Sequence, residues 1–90
     1  MSYMNKPDRF VYRVCVIQSD VLAFNNKRYV GIDRCFTSRK AALTFYRNLI
    51  RHSDFSDKYP IYSTACSGDL SVGFFSDYSI TSFHLTSKKL

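Results

Sequence analysis

The first long apolar stretch, "RFVYRVCVIQ", is apolar on both of its alternating faces. Phe10, Tyr12, Val14 and Val16 point one way, and Val11, Arg13, Cys15 and Ile17 the other. A period of two with both faces largely apolar predicts a strand inside a sheet, or one covered on both sides. Ser19-Asp20 predicts a bulge or turn, "VLAF" more extended chain, and Asn25-Asn26 a tight turn, because Asn tolerates the left-handed conformation such turns need. "KRYVGIDRCF" returns as the partner strand. Val30, Ile32 and Phe36 are its expected inner face, and Gly31 is the expected place of a bulge or close approach.

After Phe36 the period changes. Thr37 or Ser38 can accept a bond from a free first-turn amide. From there to His52, Ala42, Phe45, Tyr46 and Leu49 recur at helical spacing, with Leu43 and Ile50 at the margins. "SDFSDKYP" reads as a polar loop. "IYSTAC" and "LSVGFF" read as strands about a turn at Ser67-Gly68-Asp69, with Leu70, Val72 and Phe74 inward. "SDYS" is a further turn and "ITSFHL" a last strand. The expected architecture is one α+β domain over residues 1–90. An antiparallel sheet of four to five strands carries one helix on one face, in the order β-β-α-β-β with room for a third C-terminal strand. Residues 1–8 are expected to be a flexible lead-in and residues 86–90 a frayed tail.

Eight Phe and seven Tyr change the picture of a chain this short. Each aromatic buries roughly 150–250 Å², whereas disordered chains are aromatic-poor. Every acid is Asp, a turn and cap residue, which suits a fold with few helices and many turns. No apolar run is long enough to cross a membrane and no leader pattern opens the chain, so a cytoplasmic location is expected. Cys15, Cys35 and Cys66 have neither disulfide-framework nor zinc-ligand spacing and are expected to be buried, reduced thiols. The three glycines are dispersed, so there is no phosphate loop. No cofactor and no metal are expected.

The net charge of +6 is unevenly spread. Residues 1–52 carry +7 and residues 53–90 carry −1. From Cys35 to His52 there are four Lys or Arg and no acid. On a helical wheel Lys40, Arg47 and Arg51 fall within about 40° of one another. Thr44 lies beside them, Asn48 a little further round, and the apolar stripe opposite. Arg39 and Lys40 oppose the helix dipole, at roughly 0.3–1 kcal/mol each. The candidate binding residues are therefore Lys40, Arg47, Arg51 and Arg39. Lys27 and Arg28 extend the patch if the Asn-Asn hairpin lies near the helix. The competing reading is a solvated helix face.

An anionic partner is expected: an acidic surface of a protein or protein complex first, nucleic-acid phosphate second. Catalysis is not expected. His52 and His84 have no spacing that pairs them with a nucleophile or acid, so no catalytic residue is named. "KRYVGIDRCF" fails the RNA-recognition pattern because Gly31 comes too late after the basic pair. Protein binding needs no motif. Phe74-Phe75 places neighbouring aromatics on opposite sheet faces, so Phe75 marks an interface if its face is open.

In size and density of aromatics, with no chemistry in sight, the chain resembles small phage-encoded accessory proteins, among them inhibitors of host defence such as anti-CRISPR proteins. The resemblance lies in general character over the whole chain and rests on no diagnostic motif, so it carries no site residue across. It implies a non-enzymatic inhibitor or adaptor that binds a host protein in the host cytoplasm.

Overall fold

A computed structural model describes residues 9–21 and 28–90, and of Arg28 and Tyr29 the backbone alone. The elements are β1 (Phe10–Asp20), β2 (Arg28–Phe36), α1 (Arg39–Arg51), β3 (Tyr62–Cys66), β4 (Asp69–Ser76) and β5 (Ser79–Lys89). The strands form one antiparallel sheet in the order β2-β1-β5-β4-β3. This is the expected α+β architecture, with the third C-terminal strand present.

Register decides which face each residue takes. Val14 pairs with Arg34 and Leu85, and Leu85 pairs with Leu70. Val16 pairs with Ile32 and Phe83, and Phe83 with Val72. These rows lie beneath α1. The core is Val14, Ala42, Tyr46, Phe74, Phe83 and Leu85. Phe74 and Phe83 meet edge to face at 5.9 Å between centroids, a favourable aromatic geometry.

The helix begins as its caps require. Ser38 is extended, and its hydroxyl accepts from the Ala41 amide at 3.3 Å. The helix packs along β1, β5 and β2. Ala42 and Tyr46 form the centre of its buried stripe, with Phe45 and Leu49 half-buried beside them.

Two-residue turns close both C-terminal hairpins. Ser67 and Gly68 have φ of 52° and 84°, and Asp77 and Tyr78 of 48° and 63°. Positive φ at both central residues is the turn geometry that matches strand twist. At Gly31 the register shifts: Val16 pairs with Ile32 and Ile17 with Val30, which leaves Gly31 as the extra residue of a bulge.

Several expectations need correction. Of the expected inner face of β2, Ile32 and Phe36 do lie on the helix side, opposite Val16 and Tyr12, with Ile32 still 37% exposed at the sheet edge, but Val30 does not and is 58% exposed. β2 is an edge strand, and the bulge turns Val30 to the face away from α1. Residues 86–89 are not a frayed tail: β5 runs to Lys89 because Phe10–Arg13 of β1 supply its partners, and the Leu90 amide donates to the Arg9 carbonyl at 2.8 Å. Ser19-Asp20 is no bulge or turn: the two are the last residues of β1, paired with Ile80 and Ser79 of β5. Of the three thiols only Cys15 is buried; Cys35 and Cys66 sit exposed on the two edge strands. Residues 1–8, and "VLAF" beyond Val21 with the Asn25-Asn26 turn, lie outside the described residues.

Candidate binding surface on the basic helix

Lys40, Arg47 and Arg51 lie exposed on the side of α1 turned away from the sheet. Thr44 stands between the first two, its hydroxyl donating to the Lys40 carbonyl at 2.9 Å. The helix forms this ridge for a simple reason. Ala42, Tyr46 and Leu49 must face the sheet, and residues at 40, 47 and 51 then fall about half a turn away. Among the described residues no carboxylate lies within ion-pair distance of any of the three.

Arg39 does not join them. It is about 60° from Ala42 on the wheel, half-buried, and its guanidinium lies over the Tyr12 ring at 6.0 Å. Lys27 is outside the described residues. Arg28 is described only as the backbone that opens β2, at the opposite end of that strand from the start of α1.

Arg34, which the charge pattern alone did not single out, is brought to the ridge by register. Its strand partner is the buried Val14, so it points to the helix side of the sheet. Its guanidinium lies 5.4 Å from the centroid of Phe36 and 5.1 Å from that of Phe45, and the two rings are 5.2 Å apart. The signal was available: Arg34 alternates with Ile32 and Phe36. Between α1 and β2 runs an open groove of about 550 Å³, lined by Arg34, Phe36, Lys40, Thr44, Phe45 and Asn48 among others. Its floor is aromatic, its walls carry two cations, and Lys40 belongs to both groove and ridge.

The opposite face of the sheet has different chemistry. Arg13 and Asp33 form a two-pronged ion pair there, with Arg13 Nε donating to Asp33 Oδ1 at 2.6 Å. That bond holds the Asp33 carboxyl below the usual carboxylate range. Cys15 lies beside this pair, and burial pushes its thiol pKa up, which leaves it protonated and a poor nucleophile. His84, its neighbour on β5, shares a hydrogen bond of 3.0 Å between Nδ1 and the Ser71 hydroxyl. Further along, Tyr62 lies across Gly73, where a Cβ would run into the tyrosine ring, and Phe75 is 50% exposed.

Among the described residues no group of three His, Cys, Asp or Glu is placed to hold a metal ion. No helix among them is long and apolar enough to cross a membrane. Comparison of the chain with protein-family models, with curated proteins and with solved structures finds no match.

Proposed function

We propose that the chain is a non-enzymatic macromolecule-binding domain that docks an acidic protein surface on α1. In keeping with the resemblance noted above, it acts as an inhibitor or adaptor of a host protein, encoded by a phage or mobile element. One observation carries the binding reading. The cations Lys40, Arg47 and Arg51 stand in a row without carboxylate partners among the described residues, and the row adjoins a groove with an aromatic floor and a further arginine, Arg34. Unpaired cations steer an acidic partner to the site. The groove supplies apolar area and an Arg, the kinds of group that hold protein complexes together.

A second reading follows from the ridge itself: three cations along one side of a helix also suit a row of phosphates. The two differ in salt dependence and in what charge reversal does. The measurement is binding of the purified protein to a short DNA duplex and to a single-stranded RNA. Alongside it, capture from lysate of the organism that carries the gene is run with and without nuclease. For the protein reading, capture survives nuclease, and Arg47→Glu with Arg51→Glu slows association more than it speeds dissociation. Tight nucleic-acid binding with a log–log salt slope of about −2 to −3, as expected for three phosphate contacts, would instead establish the second reading. If the double reversal changes neither, the ridge is a solvated face.

A further inference from the structure

From Ile32 to Phe36 the pairing of β2 with β1 is unbroken, after the bulge at Gly31. β2 is the end of the sheet, so alternate residues of this stretch turn their N–H and C=O groups outward, and no described strand takes them. Five residues of regular edge span about 17 Å. Beside that edge, on the helix side, lies the groove with Phe36 and Phe45 as its floor and Arg34, Lys40, Thr44 and Asn48 around it. A strand added next to β2 would send every second side chain into this groove.

We infer that the partner supplies an extended, acidic segment that adds to the sheet along Ile32–Phe36 and seats alternate side chains between β2 and α1. This rests on the acidic-partner reading above and names how that partner is held. The backbone edge contributes sequence-independent hydrogen bonds, and the groove selects the side chains. An acidic side chain meets Arg34, whose guanidinium is already positioned by Phe36 and Phe45, and Lys40. An aromatic or aliphatic side chain between two acids meets the ring floor. A second copy of this chain fits poorly, because edge-to-edge pairing would bring Arg34 and Lys40 against cations of their own kind. Nucleic acid has no backbone that completes a sheet edge.

The test uses synthetic heptapeptides with blocked ends, titrated into the full-length ¹⁵N-labelled protein. The parent is Thr-Glu-Thr-Phe-Thr-Glu-Thr, which places Glu, Phe and Glu on one face of a strand. A second peptide replaces both Glu by Lys. Two more carry N-methyl groups on one or the other alternate set of amides. Shifts of the Ile32–Phe36 amides and of the groove side of α1 are expected with the parent. The Lys peptide and one of the two N-methylated peptides should bind about tenfold more weakly or worse, and Arg34→Glu should abolish parent binding while the protein stays folded by circular dichroism.

Absence of parent binding at millimolar concentration, shifts confined to other strands, or equal binding of both N-methylated peptides would overturn strand addition. In the last case, if Arg47→Glu with Arg51→Glu still weakens the peptides, the acidic-partner reading stands and only the mode of binding falls. Binding of a DNA duplex but of no peptide removes both. Concentration-dependent dimerisation by sedimentation, broken by Arg34→Glu, would assign the edge to a second copy and so also overturn the inference.

Discussion

Tyr46 joins helix and sheet through one atom. Its hydroxyl donates to the Phe83 carbonyl at 2.9 Å from within the core. Burial pushes its pKa up to about 12. In the unfolded chain a tyrosine ionises near pH 10. Between those values the unfolded state loses its proton while the folded state keeps it, so stability is full below pH 10 and falls as the pH rises towards 12. Tyr46→Phe should cost about 1 kcal/mol at neutral pH through the lost hydrogen bond. It should also flatten the alkaline fall; urea midpoints of both proteins across that pH range check this. An unchanged alkaline slope in the variant would show that another group carries it. The Arg13–Asp33 pair is short-range and two-pronged but exposed on both sides, and exposed pairs add little to stability.

At the level of the elements, burial ranks the apolar residues differently from the sequence stripe. Leu85 is fully buried at the sheet centre, whereas Leu49 is half-buried at the side of α1. Leu85→Ala should cost about 2–5 kcal/mol, enough to threaten so small a domain, and Leu49→Ala nearer the lower end of that range. Chemical denaturation of the two variants gives the order directly. The β4–β5 turn holds a second measurable difference. Tyr78 sits at φ 63° with its side chain exposed, a conformation that costs a non-glycine residue roughly 1–2 kcal/mol. Glycine there relieves that strain but enlarges the unfolded ensemble, so Tyr78→Gly should stabilise by about 0.5–1 kcal/mol. A loss of stability would mean that the tyrosine side chain contributes more than the turn geometry costs. The helix and its Ser38 cap were legible because spacing and capping are local. So were the inward Leu70, Val72 and Phe74, and the bulge at Gly31, where a missing side chain marks the spot. The exposure of Val30 and Ile32 was not, because which strand lies at a sheet edge depends on pairing between distant segments. Arg34 was missed for the same reason: its place follows from its register against Val14. Phe55 falls within a stretch that the sequence marks only as a polar loop, yet it stacks on Phe74 at 5.1 Å and meets Phe83 edge-on. A single aromatic among Ser and Asp leaves no periodic trace.

Seen whole, the molecule has a covered half and an uncovered half. α1 packs over β2, β1 and β5 and leaves β3 and the outer side of β4 without a helix above them. The groove with Arg34 and Lys40 is at the β2 side, and the exposed apolar residues Phe75 and Tyr62 lie on the sheet face away from α1. The strand order carries a consequence in time. β1 pairs with β2 and β3 with β4, each a neighbour in the chain, but among the described strands these two pairs are joined by β5, which follows the other four in sequence. During synthesis the residues of both pairs are made before the piece that unites them, and Leu85, the fully buried centre, arrives within that piece. The described sheet therefore cannot close until β5 has left the ribosome. Until then, the two strand edges that β5 will occupy stand open to chaperones or to a neighbouring chain.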